Sequence, residues 1–189
     1  MIITLSGLPG SGTSTLAKSL SNLLGYNVIS AGDIFRRNAV KNGMTLEEFG
    51  RRADSDYSID TRLDNELVEL VSERDNIIFE GRLTGHFILS QQILKPSGFL
   101  RVRLDAPFDT RVSRIASRDK KPLQISYKES KLREENELRR HEKNYGVNVN
   151  MAAYDVIFNS EKLSAIQMAD AIYSIVLYSP FGRKGCIVV

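Results

Sequence analysis

Five short runs rich in β-branched and aromatic side chains, at Ile2–Ser6, Asn27–Ser30, Asn76–Glu80, Phe99–Leu104 and Tyr154–Phe158, read as strands. The segments between them carry apolar residues at helical spacing. Leu16, Leu20, Leu23 and Leu24 make one stripe that stops at Gly25, a residue suited to a helix C-cap. Ile59, Leu63, Leu67, Leu70 and Val71 make a second between Ser58 and Arg74. Further helices are predicted from Pro107 to about residue 118, from Ser126 to about residue 144, and on the stripe Ile166, Ala169, Ile172, Ile175 and Val176. Strands that alternate with helices predict an α/β fold, a five-stranded parallel sheet with helices on both faces. The 107–144 stretch is so rich in charge that it reads as a helical flap rather than core. A chain of 189 residues supports one hydrophobic core, so residues 1–178 are expected to form a single domain and residues 179–189 a tail.

Composition narrows the class. No apolar run approaches the ~18 residues a membrane span needs, and residues 1–6 enter a strand directly with no basic region or cleavage-type small residues, so cytoplasmic localisation is expected. A single cysteine, Cys186, leaves no partner for an internal disulfide and no zinc-type spacing. Cys186-Ile187-Val188-Val189 has the shape of a prenylation box, but a terminal Val is atypical and lipidation is not expected. The net charge of +3 suits an anionic ligand as well as a nucleic acid.

Chemistry first appears after the first strand, in Gly7-Leu8-Pro9-Gly10-Ser11-Gly12-Thr13-Ser14-Thr15, which leads into a helix. Small residues there let successive backbone N–H groups converge at a helix N-terminus, the arrangement of a P-loop that cradles the phosphates of ATP. The consensus lysine is replaced by Thr13, and Lys18 lies too far along the helix to substitute, so a mobile arginine is the better source of the missing charge. Ser14 keeps a hydroxyl for Mg²⁺.

Two further segments fall where open α/β sheets bind ligands, at the C-terminal ends of strands. Ser30-Ala31-Gly32-Asp33-Ile34-Phe35-Arg36 supplies hydroxyl, carboxylate and guanidinium groups, and Glu80-Gly81-Arg82 places a carboxylate able to hold Mg²⁺ through water beside an arginine able to grip a phosphate. Asp33 is a further candidate for the metal shell. In the flap, Arg111, Arg114 and Arg118 share one helix face, and Arg133, Glu137 and Arg140 share another.

These segments resemble the nucleoside monophosphate kinases, over roughly residues 1 to 178. Within them the chain is similar to archaeal-type cytidylate kinases in Gly10–Thr13, Ser30–Arg36, Glu80–Leu83, the lid-like Arg114-Ile115-Ala116-Ser117-Arg118, the Arg133, Glu134, Glu137 and Arg140 segment, and Tyr145-Gly146 with Tyr154-Asp155 and Asn159. The resemblance implies a P-loop NTPase-like fold with a small helical acceptor subdomain at about 31–74 and a helical lid at about 107–144. It implies a monomer that transfers the γ-phosphoryl group of ATP to CMP, and to dCMP as well, with Mg²⁺, acting on small nucleotides rather than nucleic acid or membrane. Gly7 to Thr15 would hold ATP, and Ser30, Gly32, Asp33, Arg36 and Arg82 the acceptor. Arg82, Arg114, Arg118, Arg133 and Arg140 would neutralise the transferring phosphoryl group. Cytosine differs from uracil by an exocyclic amine, for which Asp56, Asp60 and Asp64 are equal candidates. Two other readings stay open: a related small kinase such as an adenylate or dephospho-coenzyme A kinase, and an NTP-regulated RNA-binding or ribosome-assembly factor, favoured by Thr13 and a pI near 9.0.

Overall fold

The computed structural model describes residues 1–93, 98–146 and 154–178. Cys186 and the rest of the 179–189 tail lie outside them.

Five strands form one parallel sheet in the order β2-β3-β1-β4-β5: β1 (Ile2–Gly7), β2 (Asn27–Ser30), β3 (Ile77–Gly81), β4 (Phe99–Asp105) and β5 (Val156–Asn159). All five expected strands are present, each within two residues of its predicted bounds at either end. Alternation along β1 sends neighbouring residues to opposite faces. Ile2 joins Ile29, Ile77 and Phe79 in a core covered by α2 (Ala31–Lys41), α3 (Leu46–Ser55), α4 (Tyr57–Ser72) and α5 (Thr84–Ser90). Ile3 and Leu5 join Ile78, Val102 and Leu104 under α1 (Thr13–Leu24) and α8 (Ala165–Tyr178).

The remaining helices are α6 (Phe108–Asp119) and α7 (Leu123–Tyr145). Arg111, Val112 and Ala116 of α6 are buried, so the first half of the expected flap packs onto the domain through an arginine and two small apolar residues. α7 buries no large apolar side chain and runs across the mouth of the sheet with its charged positions (from its described side chains). Helices α2, α3 and α5 carry no apolar stripe long enough to announce them. Local chemistry starts two of them: Ser30 caps α2 by accepting from Asp33 N at 3.1 Å, and Thr45 with Glu48 forms a capping box on α3.

The strand order reverses beside β1, whose neighbours are β3 on one side and β4 on the other, and ligand crevices form outside the strand C-termini at such a point. Among the described residues no helix is long and apolar enough to cross a membrane.

Candidate active site

At the C-terminal edge of the sheet lies a cleft of about 750 Å³. One wall is the loop after β1, contributing Gly7, Leu8, Pro9, Gly10, Thr13 and Ser14. Gly10 and Gly12 take φ of +80° and +97°, the left-handed region that favours glycine. A Cβ on Gly10 would lie 2.5 Å from the carbonyl oxygen of Arg111, so both the turn and its close approach to α6 require a bare backbone. Gly12 is the N-cap of α1 and brings no side chain to the free N–H groups of the first turn, which also holds no acidic residue. Those donors and the positive end of the helix dipole are left for an anion.

Beside the loop, the β2–β3 pairing sets Ser30 opposite Glu80. Ser30 Oγ donates to Glu80 Oε1 at 2.5 Å, and Ser14 Oγ lies 3.2 Å from both carboxylate oxygens. Glu80 is buried yet lines the cleft, an oxygen pair fixed against the P-loop serine. Among the described residues no cluster of three or more acidic, His or Cys side chains could hold a metal by itself. The donor set of one hydroxyl and one carboxylate fits Mg²⁺, which keeps several waters and takes its other ligands from substrate phosphates.

The opposite chemistry gathers around Arg82. It follows β3, is partly buried, and pairs with Glu137 of α7, whose other oxygen accepts from Arg133 Nε at 2.9 Å. One carboxylate thus serves two guanidinium groups. Burial, and then the charges of Arg133 and Arg140, push Arg82 well below the ordinary arginine value, with Glu134 opposing; burial and the charges of Arg118, Arg36 and Arg140 lower Arg133. A side chain that stays protonated under such pressure is short of negative charge, which a phosphate would supply. His141, in the same wall, is driven down to about 3 by burial and by Arg82 and Arg140, so it is neutral near neutral pH.

The rest of the cleft is apolar, with Phe35, Leu63, Leu67 and Phe87 among its lining residues, and two carboxylates of α4, Asp60 and Asp64, open into it. Asp60 is buried and pairs with Arg140 at 3.5 Å. Asp56 is the N-cap of α4, accepting from Ser58 N at 3.0 Å, so α4 itself separates the three aspartates that spacing alone left equal.

The cleft therefore brings together Gly7, Leu8, Pro9, Gly10, Thr13, Ser14, Gly32, Arg36, Glu80, Arg82, Arg118, Arg133 and Arg140 of the expected site. Six others are not among its lining residues. Ser11 is buried inside the loop, while Gly12 and Thr15 are not among the lining residues. Ser30 is not among the lining residues, and its hydroxyl donates to Glu80 and caps α2. Asp33 is exposed, paired with Arg36 at 2.5 Å and outside the lining, so it does not join Ser14 and Glu80. Arg114 turns away from the lining to Gly10 O at 3.2 Å and to Ser160 O at 2.6 Å. Unforeseen were the cleft position of His141 and the buried Arg111, whose guanidinium bonds both oxygens of Glu134 at 2.8 and 3.3 Å. The signal for Arg111 and Glu134 was present, since each lies in a helix already marked for its arginines.

The parallel sheet, the glycine loop at its switch point and the arginine-lined cleft define a small P-loop kinase. The sequence matches the cytidylate kinase-like family over residues 2–162, and the chain belongs to that family. It is 41% identical to the cytidylate kinase of Archaeoglobus fulgidus, over 91% of this chain and 92% of that protein. It is 40% identical to the cytidylate kinase of Methanocella arvoryzae, over 92% and 95%. Among solved structures, shikimate kinase from Acinetobacter baumannii in complex with shikimate aligns with a TM-score of 0.61 at 19% identity, covering 93% of this chain and 92% of that one, a likeness of fold.

Proposed function

We infer that the chain transfers the γ-phosphoryl group of ATP to CMP, giving CDP and ADP. The observation that carries this reading is the meeting, in one cleft, of a phosphate loop and a group of arginines around the partly buried Arg82. One accounts for a donor polyphosphate and the other for an acceptor phosphate.

An acceptor phosphate is already ionised near neutral pH, so the reaction needs little general base; positioning and charge neutralisation carry it. Backbone groups of the Gly10–Ser14 turn and the start of α1 hold the donor phosphates. Ser14 and Glu80 would hold Mg²⁺, which supplies charge neutralisation between the phosphates when bound. Arg82 and Arg36 orient the acceptor phosphate, and Arg118, Arg133 and Arg140 stabilise charge on the transferring group from α6 and α7. The apolar slot of Phe35, Leu63, Leu67 and Phe87 suits a flat base, and a carboxylate beside it accepts from an amine-bearing base such as cytosine. Asp60 and Asp64, one turn apart on α4, are the candidates. The name shared by the relatives above supports CMP over AMP as acceptor, and the arginine-gripped cleft supports a nucleotide over an RNA surface.

The test is ADP release with MgATP and each of CMP, dCMP, UMP, AMP and GMP. Turnover that requires CMP or dCMP supports the reading. ADP release at the same rate with or without any acceptor overturns it.

A further inference from the structure

The carbonyl side of the P-loop carries an arrangement that phosphate binding by backbone amides alone does not use. α6 starts three residues beyond the end of β4, and its first turn lies directly against the back of the loop at Gly10. From there Arg111 Nη1 donates to Pro9 O at 3.3 Å and Arg114 Nη1 donates to Gly10 O at 3.2 Å. Both guanidinium groups are anchored at their other ends. Arg111 also donates through Nε to Ala106 O at 3.1 Å and is held by both oxygens of Glu134, while Arg114 is held by Ser160 through Oγ at 3.2 Å and O at 2.6 Å.

A trans peptide is planar, so its C=O and N–H point in opposite directions. A cation fixed on Pro9 O therefore fixes the peptide whose N–H belongs to Gly10, and one on Gly10 O fixes the peptide whose N–H, that of Ser11, donates back to Leu8 O at 3.0 Å and closes the turn of the loop. A carbonyl bonded to a charged donor is also polarised, which strengthens the N–H at the far end of the same peptide. A lysine at position 13 would place its ammonium on the anion side of these peptides; Thr13, which lines the cleft, brings only a hydroxyl.

We propose that Arg111 and Arg114 replace the missing lysine from behind the loop, as positioning residues: Arg111 fixes and polarises the Pro9–Gly10 peptide for the donor polyphosphate, and Arg114 fixes the Gly10–Ser11 peptide and with it the Leu8–Ser11 turn that sets the shape of the loop. Glu134 holds Arg111 in that post. The proposal rests on the nucleotide-site reading of residues 7–14 and gives Arg114 a different task from the lid contact its motif suggested. It also links the two halves of the reaction, because Glu134 lies on the helix that carries Arg133, Glu137 and Arg140.

Calorimetric titration of the full chain with MgADP tests it, using wild type, Arg114→Gln and Arg111→Lys, each with and without Thr13→Lys. Wild-type binding establishes the nucleotide site; its absence sinks that reading and this one with it. Given binding, Arg114→Gln and Arg111→Lys are each expected to raise Kd at least about tenfold, with Thr13→Lys recovering most of the loss. A merely structural role would lower Tm and affinity together with no recovery by the new lysine. Variants that bind within about twofold of wild type, or a loss that Thr13→Lys leaves unchanged, overturn the proposal while leaving the nucleotide site standing. Should Arg111→Lys fail to fold, the less buried Arg114 decides alone.

Discussion

Replacing Arg82 by alanine separates the cost of function from the cost of folding. Arg82 pairs with Glu137, both of them partly buried, and Arg133 bonds the same carboxylate, so the substitution removes one of two cations from a shared anion. Glu137 keeps a partner, and the crowding of Arg82 by Arg133 and Arg140 is relieved. Lost side-chain packing and this relief oppose each other, and unliganded stability should change by less than about 1 kcal/mol, well short of the several kcal/mol expected when a buried charge is left alone. The acceptor phosphate has no such compensation. Charge-assisted hydrogen bonds contribute about 1.5–3 kcal/mol each, and a loss of at least ~2 kcal/mol in transition-state stabilisation lowers kcat/KM for CMP about 30-fold. Steady-state ADP release with CMP varied at saturating MgATP, beside urea unfolding of the free protein, reads both quantities. A kcat/KM within about threefold of wild type would remove Arg82 from the site and refute the reasoning.

Three more outcomes are expected. His141 has a folded-state value of about 3 against an ordinary 6.5, so between those values the unfolded chain holds a proton the folded one refuses; stability is full above 6.5 and falls as the pH drops toward 3, with a slope approaching about 1.4 kcal/mol per pH unit. Urea unfolding at pH 7 and pH 5 should show this for wild type and a flatter dependence for His141→Asn. Glu80→Gln, which leaves the Ser30 and Ser14 hydroxyls an amide in place of a carboxylate, should raise the Mg²⁺ concentration needed for half-maximal activity about tenfold or more; an unchanged Mg²⁺ profile would take Glu80 out of the metal shell. Gly10→Ala meets both a positive φ and the Arg111 carbonyl, and calorimetry should show destabilisation of about 2 kcal/mol or more, against no change if the loop tolerates a Cβ.

The loop half of the candidate site was legible because its information is local: a strand, a glycine turn and a helix in consecutive residues. The half built from the ends of β2 and β3 and from α4 was legible as residue types but not as contacts. Ser30 and Asp33 sit in a phosphate-binding pattern, yet a cap and an i,i+3 ion pair claim them, and only the β2–β3 register shows that Ser30 serves Glu80. Asp56, Asp60 and Asp64 look alike until α4 makes the first a cap and turns the other two into the cleft. The charged face of α6 suggested a solvated flap, because nothing in a helix periodicity says that an arginine such as Arg111 is buried against a loop 102 residues earlier. Helices α2, α3 and α5 are short, and helices of that length draw their stability from tertiary packing more than from intrinsic propensity.

The central claim is that the loop after β1 holds the phosphates of the donor nucleotide. Its sharpest test is to add MgATP stepwise to isotope-labelled protein and follow the backbone amide signals of Gly10, Thr13 and Ser14. Saturable shifts at those three positions, with the far ends of β5 and α8 unmoved, are the predicted result; signals that stay where they were at millimolar nucleotide would contradict the account.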